Sequence, residues 1–69
     1  MKPGHVGLWR VIYIARGEKQ AQQIVDLLRE AGFMPDRRQP SSDAGEDIEI
    51  RALDSEAEEA RLFLLERGY

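Results

Sequence analysis

The sequence predicts a small α+β sandwich in which a three-stranded sheet, with strand order 1-3-2, carries two helices on one face. Three observations support this fold class. Apolar residues change along the chain between strand-type and helical spacing, in the order β-α-β-β-α. The second half of the chain repeats the pattern of the first. The 69 residues include no cysteine, so side-chain packing must stabilise the fold without disulfides.

The first strand–helix unit is predicted over residues 8–32. Residues 8–15 are rich in β-branched and aromatic types and are bounded by glycines, which is typical of a strand. Residues 18–31 place their apolar side chains three and four positions apart, which forms one helical stripe. Gly32 is the expected C-terminal stop of this helix.

The second half is predicted to contain two strands and a helix. Residues 33–39 form a strand that Pro35 confines to a sheet edge, because proline has no backbone donor. Strict alternation of apolar and polar residues over 48–52 predicts a half-buried third strand. Ser55 and Glu58 match a capping box, so a helix opens there and runs to Gly68. Residues 1–69 form one domain, with a flexible tail at 1–7 and a flexible loop at 39–47.

The two halves of the chain align as related strand–helix units. We expect a pseudo-twofold between them, with the third strand antiparallel to the other two and between them, because crossover connections are right-handed. This is a ferredoxin-like sheet without a fourth strand, so the first strand presents an unpaired edge. The aligned pairs are Ile12 and Ile48, Ile14 and Ile50, Ala21 and Ala57, Leu28 and Leu64, and Gly32 and Gly68.

Alternation along the first strand predicts an exposed apolar stripe. In the repeat, Ile12 and Ile14 point toward the helices. Side chains alternate across a strand, so Trp9, Val11 and Tyr13 then lie on the uncovered sheet face. A small monomer rarely leaves so much apolar surface open, which predicts a protein interface. In the inverted alternative, Trp9, Val11 and Tyr13 are the core residues.

The second helix also carries an apolar residue that is predicted to be exposed. The spacing of apolar residues predicts a buried arc of Ala57, Ala60, Phe63 and Leu64. Leu62 lies nearly opposite this arc and is expected to be exposed. A single exposed leucine is also normal in soluble proteins. Leu62 and the exposed apolar stripe, together with the open strand edge, favour a protein partner or a homodimer. The first functional hypothesis is therefore a non-enzymatic regulatory or adaptor domain that uses the open sheet face and first-strand edge.

A small-molecule sensor is the alternative hypothesis. Arg37 and Arg38 lie on the second strand, with Arg51 beside them, and adjacent arginines can clamp a carboxylate or phosphate of an anionic metabolite or nucleotide. A charged edge strand that resists unwanted pairing explains these arginines equally well.

No catalytic or metal-binding pattern is found. The single histidine, His5, lies in the predicted tail, and no nucleophile has an adjacent base. The carboxylates between residues 43 and 49 lack the spacing of a cation site. We therefore expect no enzyme activity, no cofactor and no metal.

Charge and hydropathy point to a cytoplasmic protein. The net charge of −3 gives nucleic acid or an anionic membrane no general reason to bind. No apolar run approaches the roughly 20 residues that span a bilayer. The N-terminus lacks the apolar segment of a signal peptide. Binding to nucleic acid or membranes is not expected.

Residues 9–66 resemble small bacterial proteins of the DUF2007 type, which are labelled prokaryotic signal-transducing proteins. The matching segments are WRVIYIA at 9–15, LLREAGF at 27–33, IEI at 48–50 and SEAEEA at 55–60. The resemblance implies a ferredoxin-like fold and kinship with PII-like regulators, but it supplies no site residue. SPOR domains, which bind peptidoglycan glycan strands, are also small ferredoxin-like repeats and provide a minor alternative.

Overall fold

The computed structural model describes residues 8–39 and 47–69. The predicted tail at 1–7 and the loop residues 40–46 lie outside these ranges. Gln39 directly follows the second strand, and Asp47 is the first residue of the third strand rather than part of the predicted loop.

The chain forms a small α+β fold with a three-stranded antiparallel sheet. In the sheet order β1-β3-β2, the central strand β3 pairs antiparallel with both neighbours, which confirms the predicted strand order. Both helices contribute side chains to one core cluster with alternate residues of β3, so both helices cover the same sheet face. The elements are β1 (Trp9–Arg16), α1 (Glu18–Glu30), β2 (Asp36–Arg38), β3 (Asp47–Leu53) and α2 (Ala57–Glu66).

The second strand is shorter than the predicted range of 33–39. Its pairing with β3 begins at Asp36 and ends at Arg38. The backbone N–H of Phe33 donates instead to the carbonyl oxygen of Leu28 at 2.9 Å, as part of the end of α1. Pro35 has no N–H to offer. Phe33 therefore belongs to the cap of α1 rather than to the sheet.

The predicted capping box at the start of α2 is wrong. Ser55 lies in a 3₁₀ turn, Asp54–Glu56, and α2 begins at Ala57 without a side-chain hydrogen bond to its cap. The 3₁₀ turn places Ser55 ahead of the helix, so its hydroxyl does not cap α2. At the other end α2 stops at Glu66, two residues before the predicted Gly68.

The two helices end in the same way. Gly32 and Gly68 adopt φ values of 95° and 91°, a region that suits glycine because a side chain is strained there. The residue after each glycine donates its N–H back to a leucine carbonyl, Phe33 to Leu28 at 2.9 Å and Tyr69 to Leu64 at 3.0 Å. These are Schellman caps. The helix ends therefore match as the predicted repeat requires.

A β-bulge interrupts the alternation of β1. Val11 pairs with Arg51 and Tyr13 pairs with Ile50, so Ile12 is an extra residue without its own partner. Ile12 remains buried, as predicted. After Ile12, each β1 side chain points to the sheet face opposite to the one predicted, because the bulge shifts the alternation by one residue.

The exchange corrects two of the predicted positions on β1. Tyr13, predicted on the uncovered face, turns toward the helices, and its ring meets that of Tyr69 edge-on with centroids 5.7 Å apart. Ile14, predicted toward the helices, lies on the uncovered face and is 46% exposed. Trp9 and Val11 precede the bulge and lie on the uncovered face, as predicted.

Two alanines and one leucine form the buried face of α2. Of the predicted buried arc of α2, Ala57, Ala60 and Leu64 are buried, whereas Phe63 is only half-buried. The ring of Phe63 packs against Phe33 with centroids 5.8 Å apart. Leu62 is exposed, as predicted. Neither α1 nor α2 has the length and apolar character that crossing a membrane requires.

Candidate functional site

The most apolar feature of the uncovered sheet face is a row of three β1 side chains, Trp9, Val11 and Ile14, called here the β1 strip. Val11 is 43% exposed and Ile14 is 46% exposed, while Trp9 is half-buried. The sequence alternation identified Trp9 and Val11, but it missed Ile14 and assigned Tyr13 in its place. No sequence signal marks the bulge that causes this exchange, because no glycine stands at the bulged position.

Trp9 lies beside a charged residue of the central strand, Arg51. The guanidinium of Arg51 lies 5.8 Å from the centre of the indole ring, within range of a cation–π contact. The same guanidinium donates from Nε to Asp36 Oδ2 at 2.9 Å and forms a second hydrogen bond to that oxygen. Asp36, Arg51 and Trp9 therefore form a connected row across all three strands.

The free edge of β1 borders a groove beneath α2, called here the edge groove. The groove has a volume of about 100 Å³, and β1 has no strand partner on this side within the described chain. One wall comes from β1 and the other from the first turns of α2. The lining residues are Arg10, Val11, Ile12, Ala57, Glu58 and Arg61.

The structure separates Leu62 from the β1 strip. Leu62 is 51% exposed, but it lies in the helical layer on the other side of the sheet. Leu65, 56% exposed, lies on the same helix. Leu62, predicted to bind a partner with the strand residues, therefore lies on a different surface from the β1 strip.

The three arginines predicted to bind a ligand do not form a clamp. Arg37 and Arg38 are successive residues of β2, so their side chains point to opposite sheet faces. Arg37 bonds to Glu18 and to Gln22 Oε1, the latter at 3.3 Å. Arg51 is paired with Asp36. Arg38 is exposed and, within the described chain, has no side-chain partner.

The ion pair between Arg37 and Glu18 gives a testable pH effect. The hydrogen bond from Arg37, supported by its positive charge, lowers the pKa of Glu18 below the ordinary value of 4.5, against a smaller opposing effect of desolvation. A lowered pKa stabilises the fold above the unfolded-state pKa, and this contribution is lost as the pH falls through the folded-state pKa. We therefore expect Arg37→Gln to raise the pKa of Glu18, and to reduce stability at neutral pH but not at strongly acidic pH.

An NMR titration of the Glu18 carboxyl carbon measures this pKa directly. Arg38→Gln is the matched control, because Arg38 faces the opposite side of the sheet and should leave the Glu18 titration unchanged. An unaltered Glu18 pKa in Arg37→Gln would show that the pair is not formed in solution.

Within residues 8–39 and 47–69, no three histidine, cysteine or acidic side chains come together in a group that can hold a metal ion. His5 lies outside these ranges. Comparison of the chain with family models, curated proteins and solved structures finds no match. The functional interpretation therefore depends on the chemistry of the β1 strip and the edge groove.

Proposed function

We propose that this chain is a small, non-enzymatic regulatory or adaptor domain that binds a protein partner through the β1 strip and the free edge of β1. One observation carries the proposal: Val11 and Ile14 expose 43% and 46% of their surface beside a tryptophan on an edge strand. Burial of apolar surface contributes roughly 25 cal/mol per Å², so covering this strip favours association.

The surroundings of the strip have the composition of a protein interface. Interfaces place an apolar centre rich in aromatic residues inside a polar rim. On the uncovered face the rim is formed by Arg51 with Asp36, and by Arg38 opposite Glu49. Arg51 lies against the Trp9 ring, so the charged rim directly borders the aromatic centre.

The arginine positions favour this function over the small-molecule sensor. Arg37 and Arg51 already have carboxylate partners, and a ligand would have to displace them. Arg38 is part of the polar rim on the uncovered face, where it suits a macromolecular contact.

The classification of the chain belongs to the same proposal. Strand order β1-β3-β2 with two helices on one face supports a ferredoxin-like assignment. We propose kinship with the DUF2007-type proteins on the sequence segments given above, and a cytoplasmic location. A second copy of the chain is one form that the protein partner can take.

A photo-crosslinking experiment in cells tests the proposed surface. A photoreactive amino acid at position 14 is expected to capture a protein partner, which mass spectrometry identifies. The double variant Val11→Ser with Ile14→Ser should then weaken that partner's affinity by about tenfold or more, because truncated hot-spot residues commonly cost over 1 kcal/mol.

Leu62→Ser is the matched control, since it removes an equally exposed aliphatic side chain from the opposite layer. Sedimentation velocity at micromolar concentration shows whether the partner is a second copy, because the double variant then converts a dimer to a monomer. A strictly monomeric protein without crosslinks at position 14 would rule out the interface. So would a partner whose affinity depends on Leu62 but not on Val11 and Ile14.

A further inference from the structure

The edge groove has the two walls that a fourth strand would contact. Arg10, Val11 and Ile12 form the sheet wall at the unpaired side of β1, and the first turns of α2 form the helical wall. Ala57 contributes only a methyl group to the helical wall. A strand placed here would pair its backbone with β1 and pack one side against α2.

The charges of the groove differ between its two walls. Arg10 on β1 is neutralised by Asp54 at 2.8 Å. Arg61 on α2 is exposed and has no side-chain partner within the described chain. Glu58 lies one turn nearer to the start of α2, where its charge complements the helix dipole. An acidic side chain entering the groove therefore finds its complement beside Arg61 rather than beside Glu58.

The uncovered side of the same position is apolar. Residues of an added strand alternate between the two faces, so every second side chain would lie beside the β1 strip. Val11 and Ile14 offer aliphatic neighbours there, and both are more than two-fifths exposed. The position therefore suits a segment that alternates apolar and acidic residues.

A single extended segment fits this position better than the β1 of a second copy. Adjacent strands lie about 4.8 Å apart, whereas packed helices need about 8–10 Å between axes. Pairing β1 with the β1 of a second copy would place both α2 helices on the same side of the joined sheet, next to the shared edge. The short distance between the paired strands would then crowd the two helices. The bulge at Ile12 interrupts the β1 edge, and the ion-paired side chains of Arg10 and Arg16 flank it, so the edge suits only a short added segment.

We infer that the edge groove binds an extended peptide segment of a partner protein, which adds to β1 as a fourth strand. Its apolar side chains lie beside Val11 and Ile14, and an acidic side chain pairs with Arg61. The inference rests on the proposed function and specifies the partner's chemistry: a segment of alternating apolar and acidic residues.

Two end-capped synthetic peptides test the inference, Val-Glu-Val-Glu-Val-Glu-Val and the same peptide with lysine in place of glutamate. The acidic peptide is expected to slow hydrogen exchange at backbone amides of β1 and to bind more tightly than the lysine peptide. Arg61→Glu should weaken the acidic peptide by about tenfold and favour the lysine peptide. Arg29→Glu is the matched control, because Arg29 is an exposed arginine on α1 and the variant changes net charge equally.

Three outcomes overturn the inference. The first is that Arg61→Glu and Arg29→Glu weaken binding of the acidic peptide equally. The second is that the peptide protects backbone amides other than those of β1, and the third is that neither peptide protects β1. Protection of β1 that appears without peptide and grows with protein concentration would identify a second copy as the occupant instead. If the peptides fail while the crosslinked partner still depends on Val11 and Ile14, the strand addition is wrong and the proposed function stands. If that dependence is also missing, both are wrong.

Discussion

Replacing Leu64 with alanine is expected to lower the free energy of unfolding by about 2 to 5 kcal/mol, the usual cost of a leucine truncation in a packed core. Leu64 is 1% exposed and lies where α2 packs on the sheet. Domains of this size have a total stability of only about 3 to 10 kcal/mol, so the variant should lose much of it. Urea denaturation followed by far-ultraviolet circular dichroism measures the change.

Leu62→Ala is the control on the same helix. Leu62 is 51% exposed, and alanine is at least as good a helix former as leucine, so the expected change is within about 0.5 kcal/mol. Leu28→Ala, at the equivalent place on α1, should cost about as much as Leu64→Ala, because both leucines are buried and accept the same cap hydrogen bond. Equal costs at Leu62 and Leu64 would mean that α2 is rotated about its axis.

The helices were the most predictable part of the fold. The spacing of three and four identified the buried residues of α1, and the arc containing Ala57, Ala60 and Leu64 was identified on α2. This succeeds because one helix face must be apolar wherever a helix packs on a sheet. Gly32 was also correctly identified as a helix stop, since the left-handed cap favours glycine.

The element boundaries were less predictable, because tertiary contacts decide them. A serine followed three residues later by glutamate indicated a capping box at Ser55, but the chain enters α2 through a 3₁₀ turn. Glu56 there accepts a hydrogen bond from the N–H of Met34 at 3.2 Å, which ties the turn to the segment before β2. A contact so distant along the chain leaves no local pattern.

The candidate site was predicted in part. Alternation predicts an exposed apolar stripe on β1 and two of its residues, Trp9 and Val11, but not Ile14, because strict alternation assumes a regular strand. The structure does not bring Arg37 and Arg38 together, since successive strand residues point to opposite faces. The pairing of Arg51 with Asp36 was not predicted, because it depends on the register between β2 and β3.

The bulge itself leads to the second large expected effect. Ile12→Ala should cost about 2 to 4 kcal/mol, because the isoleucine is 7% exposed and its removal leaves a cavity in the core. Ile14→Ala should lower the free energy of unfolding by less than about 1 kcal/mol, because an exposed position loses only strand propensity. A regular strand would bury both isoleucines and make the two costs similar, so urea denaturation of the pair distinguishes the two arrangements.

The same pair of variants links the bulge to binding. Ile14→Ala removes an exposed part of the β1 strip, so it should weaken the partner captured at this surface while leaving the fold nearly as stable. Ile12→Ala should instead lower the free energy of unfolding, while the folded protein keeps nearly the same affinity for the partner. If Ile14→Ala destabilises as strongly as Ile12→Ala and leaves binding unchanged, Ile14 belongs to the core, and the β1 strip loses the residue that the bulge adds to it.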